Sequence, residues 1–243
     1  MKEPSPEARA GARRLLAPLR RLKRACLGRR SLSKPYSGSI FDRIAGLDPL
    51  WELCPGATVL DFGCCDGLIG YELARHGAGL IHGLDIDKPR VEFARRLFEN
   101  VPAVSRFEVA DLAVSPSGLR KRYEEMLLPR YDIVLFLGMY HHLEKQMAPS
   151  DLAGLVGFLA DIAGTALAVR SDRLPVFESI ILEGGFQVFC TRESPPAAAG
   201  VGLLRLYRRN VGGGSTRRRP ESYRPSGHGS PSHLAAGGAG SLC

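Results

Sequence analysis

Three aspartates stand at the ends of three successive β-branched or aliphatic segments. The three are Asp61, Asp85 and Asp111. An ionised carboxylate offers two acceptor oxygens and no donor, so it can accept hydrogen bonds from ligand hydroxyl and amino groups. The carboxyl ends of parallel strands meet at one edge of a sheet, which is where open α/β folds bind ligands. The spacing therefore predicts a polar ligand site built by three consecutive strand ends.

A glycine-bearing turn follows the first of these aspartates. The turn is Gly63-Cys64-Cys65-Asp66-Gly67, and an amphipathic helix begins at Leu68. Glycine permits positive φ and lets a ligand approach the backbone, and the helix N-terminus presents unpaired N–H groups. A dinucleotide fingerprint starting at Gly63 would need glycines where Cys65 and Leu68 stand. The turn therefore predicts a nucleotide-like ligand and disfavours an NAD-dependent oxidoreductase.

The pattern acidic-x-Gly-x-small-x-Gly is carried by Asp61, Gly63, Cys65 and Gly67. It resembles motif I of the class I S-adenosylmethionine-dependent methyltransferases, and the resemblance covers about residues 57–208. The family usually has glycine where Cys65 stands. Because cysteine is small, we expect a slightly tighter pocket at this position.

The resemblance implies a role for each strand-end carboxylate. Asp61 would help to hold the methionyl amino group, Asp85 the ribose hydroxyls, and Asp111 the adenine amino group together with the backbone N–H of Leu112. The implied binding set for S-adenosylmethionine is Asp61, Gly63, Cys65, Gly67, Asp85, Asp111, Leu112 and Gly138. No Cys/His set has the spacing of a zinc site, so no metal is expected.

The stretch from Gly138 to Leu143 reads GMYHHL and resembles the family's loop after the fourth strand, which borders the transferred methyl group. Histidine suits a general base because its unperturbed pKa of about 6.5 leaves it mostly neutral at pH 7. His141 and His142 are the candidate bases, and Tyr140 is a candidate pocket residue. The alternative is that one histidine packs under the loop and supports the cofactor.

Strand-like and helix-like segments alternate through the middle of the chain. This order predicts an α/β fold with a doubly wound, mostly parallel seven-stranded sheet and helices on both faces. The resemblance adds that the last strand inserts antiparallel. A short helix is expected from about Ser39 through Leu53, and Ser150 is expected to cap a later helix. The predicted strands are residues 58–62, 80–84, 106–110, 131–137, 166–170, 186–190 and 202–207.

The net charge of +8 lies at the two ends of the chain. Residues 1–34 carry 11 Lys/Arg against 2 Asp/Glu, and residues 211–243 carry 4 against 1, whereas residues 35–210 carry 18 against 22. Residues 1–33 are predicted to be a basic N-terminal extension with a helix over residues 6–30, and residues 34–210 the methyltransferase domain. In residues 211–243, 17 of 33 residues are Gly, Ser or Pro, a composition that predicts a disordered tail.

The predicted activity is methyl transfer to an acceptor that the sequence does not identify. A small molecule or envelope metabolite is favoured, because the domain is compact and the basic arm lacks interleaved aromatic residues. The alternatives are an RNA substrate such as tRNA, held through residues 1–34 near phosphates, and a nonenzymatic binding module of the same fold. The basic helix also allows peripheral contact with an anionic membrane.

Six cysteines are present, and none forms a C-x-x-C pair. We expect free thiols in a reducing compartment. No apolar run approaches the roughly 20 residues of a membrane helix, and no signal peptide is recognised. Together these features predict a cytoplasmic protein.

Overall fold

The computed structural model of the chain describes residues 40–194 and 202–210. The predicted basic helix in residues 1–33 and the predicted disordered tail in residues 211–243 lie outside the described residues. The remainder contains the whole of the predicted sheet.

Seven strands form one sheet in the order β3-β2-β1-β4-β5-β7-β6. The first five strands are parallel, and β7 lies antiparallel between β5 and β6. The doubly wound sheet with an inserted antiparallel strand is therefore confirmed. The strands are β1 Thr58–Phe62, β2 Leu80–Asp85, β3 Val104–Val109, β4 Tyr131–Leu137, β5 Ala163–Ser171, β6 Phe186–Glu193 and β7 Leu203–Arg209.

Helices connect the strands, and several begin at residues suited to a first turn. Asp87 caps one helix by accepting a hydrogen bond from the N–H of Arg90, and Ser115 caps another through the N–H of Gly118. The helices are α1 Ile40–Ile44, α2 Leu68–Arg75, α3 Lys88–Leu97, α4 Pro116–Arg122, α5 Tyr140–Leu143, α6 Pro149–Ile162 and α7 Leu174–Glu183, with a 3-10 helix at Asp48–Leu53.

Two apolar cores lie on opposite faces of the sheet, because side chains alternate along each strand. In β4, Val134 and Phe136 join the core beneath α4, α6 and α7. Ile133 and Leu135 join the core beneath α2, α3 and the 3-10 helix. Burial on both faces explains why β4 is apolar almost throughout and why its bounds follow from the sequence.

Two expected helix features are wrong. The single helix expected from about Ser39 through Leu53 is broken, because Gly46 adopts a left-handed φ of 81° between α1 and the 3-10 helix. Ser150 does not cap α6, whose cap position is Ala148 and whose first helical residue is Pro149. Proline has no N–H to lose in the first turn, so it starts the helix one residue before Ser150.

The chain winds outward from β1 through β2 to β3, and then from β4 in the opposite direction. The gap between the carboxyl ends of β1 and β4 is therefore the switch point at which open α/β sheets bind ligands. Within the described part of the chain, no helix is long and apolar enough to cross a membrane.

Candidate functional site

The glycine turn after β1 has three residues with positive φ. The values are 94° at Gly63, 54° at Cys65 and 72° at Gly67. Cys65 is the only non-glycine residue with positive φ among the described residues. The N–H groups of Gly63 and Cys64 both donate to the carbonyl of Leu84, at 2.9 and 3.0 Å, which ties the turn to the end of β2. The left-handed conformations are thus held by the neighbouring strand.

Asp85 joins this turn to the helix after β2. One carboxylate oxygen accepts a hydrogen bond from the N–H of Cys65 at 2.8 Å, and the other accepts from the N–H of Asp87 at 2.9 Å. A guanidinium nitrogen of Arg90 lies 2.7 Å from the Cys65 sulfur, and its Nε lies 3.0 Å from Asp87. Cys65 therefore keeps the backbone contact with Asp85 that a glycine would make, and its side chain contacts Arg90.

Asp61 is almost fully buried, with 2% of its surface exposed. Its Oδ2 has no hydrogen-bond partner among the described residues. Burial raises the pKa of Asp61 to about 7, and the nearby Arg43 guanidinium opposes that rise. A buried carboxylate oxygen without a donor costs free energy, so it marks a place where a donor or a cation would bind favourably.

Asp111 and Leu112 follow the end of β3 rather than belonging to it. The N–H of Ala110 donates to the carbonyl of Asp85 at 2.8 Å, which places this segment beside the end of β2. Asp111 is exposed, and its carboxylate accepts from the N–H of Ala113 at 3.0 Å, whereas the Leu112 side chain is buried. Asp61, Asp85 and Asp111 thus all lie at the carboxyl edge of the sheet.

Ile86 is a residue of this edge that the sequence reasoning missed. Its side chain is 65% exposed although it stands between two partly buried aspartates. An exposed apolar side chain beside Asp85 offers a surface for a flat, poorly hydrated group such as a base. The signal in the sequence was a large aliphatic residue directly after a strand end, in the run LDID.

The loop after β4 packs directly against the glycine turn. Gly138 has a φ of 72°, and its N–H donates to the carbonyl of Arg170 at 2.9 Å. The Met139 side chain lies over Gly63, so that a Cβ added to Gly63 would stand 2.4 Å from the Met139 Cγ. The absence of a side chain at Gly63 therefore lets the β4 loop approach the turn.

The two histidines and the tyrosine of this loop occupy different environments. His142 is exposed and His141 half-buried, and their ring centres are 3.8 Å apart. Partial burial, together with His141 and Lys145, lowers the pKa of His142, while Asp85 acts in the opposite direction.

Tyr140 points away from the solvent into the core. It is 7% exposed, and its ring stacks on Phe177 with centres 4.4 Å apart. Burial raises the pKa of Tyr140. These contacts favour a packing role for the Tyr140 ring, whereas His142 has the exposure that a base needs.

The four cysteines among the described residues are free thiols. No group of three or more His, Cys, Asp or Glu side chains that could hold a metal occurs in residues 40–194 and 202–210. This edge carries carboxylates, backbone N–H groups, histidines and the Cys65 thiol beside Arg90.

Residues 59–160 match the family model described as a methyltransferase domain. This match spans β1 to most of α6 and so includes the glycine turn, all three strand-end carboxylates and the β4 loop. The seven-stranded sheet and this match agree with the class I S-adenosylmethionine-dependent methyltransferase fold that the sequence predicts.

Curated relatives are similar in sequence to parts of this chain. The ribosomal protein L11 methyltransferase of Burkholderia mallei is 49% identical over 59 residues, which are 21% of this chain and 20% of that protein. The protein of the same description from Methylococcus capsulatus is 27% identical over 131 residues, 54% of this chain and 43% of that protein. The chain thus spans less than half the length of these curated relatives.

A solved structure extends the likeness to most of the fold. Magnesium protoporphyrin IX methyltransferase from Synechocystis PCC 6803, with bound S-adenosylmethionine, superposes with a TM-score of 0.53 and 18% identity. The match covers 86% of this chain and all of that one. At this level of identity the likeness concerns the fold.

Proposed function

We propose that this chain transfers a methyl group from S-adenosylmethionine to an acceptor. One observation carries the proposal. The buried, unpartnered oxygen of Asp61 and the carboxylate of Asp85 flank a left-handed glycine turn at the switch point of a methyltransferase fold. At one edge of the sheet, this arrangement combines a buried carboxylate that favours a cation, a carboxylate that can accept from hydroxyl groups, and a turn whose backbone a ligand can approach.

The residues present fit the cofactor. Asp61 would hold the methionyl ammonium group, because a cation satisfies its orphan oxygen and offsets the cost of burying its charge. Asp85 would accept from the ribose hydroxyls, Ile86 would contact the adenine face, and Asp111 with the N–H of Leu112 would bind the adenine edge. Gly138 would complete the wall on the β4 side.

When bound, S-adenosylmethionine supplies a methyl group activated by a sulfonium, and the departing thioether is neutral. The protein therefore needs no acid for departure, and its contribution is alignment of the acceptor and exclusion of water. Met139 covers the turn from the β4 side. His142 would accept the proton of a protonated nucleophile, since its lowered pKa keeps it neutral at pH 7.

A small molecule is the acceptor class that we favour. The exposed His142 and half-buried His141 lie on a short loop, without a long inserted segment between β4 and β5 that would recognise a large partner. The relatives' names describe both protein and small-molecule acceptors, ribosomal protein L11 and magnesium protoporphyrin IX. RNA binding through residues 1–34 remains the alternative, and a measurement of RNA binding by the full chain is its test.

The experiment is a calorimetric titration of the full chain with S-adenosylmethionine, S-adenosylhomocysteine and NAD. We expect the two sulfur ligands to bind with a Kd on the order of 1–100 µM and NAD to give no heat of binding. Asp85→Asn should weaken both by about tenfold or more, because it removes charge-assisted hydrogen bonds to the ribose.

Asp151→Asn is the matched control, since Asp151 is an exposed carboxylate in the first turn of α6. It should bind as the wild type does. If the folded wild-type protein gives no heat of binding with either sulfur ligand, the proposal is rejected in favour of a nonenzymatic module. Binding of NAD would instead favour an oxidoreductase.

A further inference from the structure

The segment from residue 40 to residue 46, comprising α1, Ala45 and Gly46, crosses the carboxyl edge of the sheet. We refer to it as the strap. Its Arg43 side chain forms a salt bridge with Asp66 in the glycine turn, with Nη1 and Oδ1 2.5 Å apart. The two side chains are only 7% and 4% exposed. Separating a buried ion pair would leave two uncompensated charges away from water, which costs free energy. This contact therefore couples the strap to the turn.

The other end of the strap is held by β5. The guanidinium of Arg170 donates to the backbone carbonyls of Arg43 and Ala45, at 2.9 and 3.0 Å. The carbonyl of Arg170 in turn accepts from the N–H of Gly138 in the β4 loop. A single arginine at the end of β5 therefore connects the strap to the residue that would form the β4 wall of the cofactor site.

Close packing fixes the strap further along the edge. A Cβ on Gly46 would stand 2.9 Å from Leu204 on β7 and 3.0 Å from Arg192 on β6. Leu47, directly after the strap, is fully buried in the core beneath α2 and α3. The strap thus runs from the turn after β1, past β4 and β5, to the ends of β7 and β6.

We propose that Arg43 is a positioning residue. Its ion pair with Asp66, together with the hydrogen bonds that Arg170 donates to the backbone carbonyls of Arg43 and Ala45, locks the strap across this edge and so sets the glycine turn and Gly138 in the cofactor-binding geometry. The inference rests on the proposed function. Arg43 acts on the glycine turn through Asp66, which lies between the turn residues Cys65 and Gly67 that would touch the cofactor. The absence of a side chain at Gly46 lets the strap pack closely against Leu204 and Arg192.

The test measures the Kd of S-adenosylhomocysteine by calorimetry for wild type, Arg43→Gln, Asp66→Asn and the double variant. Each single variant should weaken binding by about tenfold or more, and the double variant should be little weaker than either one, since both remove the same contact. Arg75→Gln is the matched control, because Arg75 pairs with Glu72 at the surface with 40% of its side chain exposed. It should leave the Kd within about twofold of wild type.

The pH dependence of binding separates positioning from general loss of stability. The groups that act on Asp61 are Arg43, which lowers its pKa, and Asp85 and Asp66, which raise it. Arg43→Gln should therefore move the pH at which affinity is half lost upward, and Asp66→Asn should move it downward. A loss of stability alone would move both in the same direction or neither.

The outcomes are distinguishable from a failure of the proposed function. If wild type and Arg75→Gln fail to bind S-adenosylhomocysteine, the proposed function fails. If they bind and both Arg43→Gln and Asp66→Asn stay within about twofold of them, or if the double variant loses the product of the two single effects, the positioning role is wrong. If Arg43→Gln does not fold, the isosteric Asp66→Asn provides the test. A Kd within about twofold of wild type in that variant would then show that the positioning role is wrong.

Discussion

The glycine turn after β1 and the loop after β4 face each other across the switch point, yet they are built differently. The turn is held by backbone hydrogen bonds to Leu84, by the Asp85 carboxylate and by the buried Arg43–Asp66 pair. The β4 loop is a one-turn helix whose histidines are exposed or half-buried. The turn is therefore held by several contacts, as the proposed cofactor site requires, while the β4 loop leaves His142 exposed to solvent.

The difference implies that changes to the turn's left-handed backbone or to its carboxylates should weaken cofactor binding, whereas changes in the loop should spare it. Five predictions test this contrast, and S-adenosylhomocysteine affinity is the common readout.

The largest effect is expected at Gly67. Gly67→Ala places a side chain at a φ of 72°, and its Cβ would stand 2.8 Å from the Ala94 Cβ. Strain and overlap together should destabilise the fold by about 1–3 kcal/mol and weaken binding by about 100-fold. Denaturant unfolding and calorimetry measure the two effects. Gly154→Ala is the control, because Gly154 lies within α6 with nothing within 4 Å of an added Cβ, and it should leave binding unchanged.

Asp61→Asn should separate stability from binding. The folded pKa of Asp61, about 7, exceeds the ordinary value of 3.8, so its stabilising contribution is present below pH 4 and is lost as the pH rises to 7. At pH 8 the neutral asparagine should therefore raise the free energy of unfolding, by about 1–3 kcal/mol. Affinity should nevertheless fall by about tenfold or more, because the ammonium group loses its counter-charge.

In the wild type, the same carboxyl should make binding pH-dependent. Because the cation favours ionised Asp61, affinity should fall as the pH drops from 7 to 5, and binding at pH 6 should release a proton. Calorimetry in two buffers with different ionisation enthalpies measures the proton release. An affinity that is flat between pH 5 and 8 would contradict the role given to Asp61.

Cys65→Gly should have a small effect. It removes a left-handed non-glycine residue but also the contact between the sulfur and Arg90. Relief of strain and the added freedom of the unfolded glycine nearly offset each other, so we expect the free energy of unfolding to change by less than about 1 kcal/mol. The Kd should change by less than about threefold, since the N–H that donates to Asp85 remains. Cys65→Val, which keeps a side chain but is β-branched at positive φ, should be clearly worse in both measurements.

The smallest effect on cofactor affinity is expected in the β4 loop. His141→Gln and His142→Gln should leave the Kd within about twofold of wild type, because the groups proposed to hold the cofactor are the strand-end carboxylates and the backbone of the turn. Once an acceptor is found, loss of the base should lower kcat by about 100-fold or more for one of the two histidines and much less for the other. A large loss of cofactor affinity in either variant would instead support the alternative in which that histidine underlies the site.

The bounds of a strand were predictable where a single apolar pattern ran from its first residue to its last. Residues 58–62 and 131–137 were given with their observed bounds, because both strands are apolar and end at a turn or polar residue. β5 and β6 extend beyond their predicted bounds, and β7 begins one residue later and ends two residues later than predicted, because the added residues pair with neighbouring strands that the sequence does not reveal. The missed break at Gly46 has the same origin, since close packing against β6 and β7 fixes its left-handed conformation.

The sequence by itself determined the order of the elements, the glycine turn and the three strand-end carboxylates. These follow from short-range rules: apolar periodicity, the freedom of glycine and the carboxylate at each strand end. Only the tertiary structure decided that Asp61 is buried with an oxygen that no described residue hydrogen-bonds, that Tyr140 packs on Phe177, and that the strap is tied to the turn through Arg43 and Asp66. Burial and long-range pairing depend on which residues meet in space, and residues 23 positions apart such as these two carry no local signal of their contact.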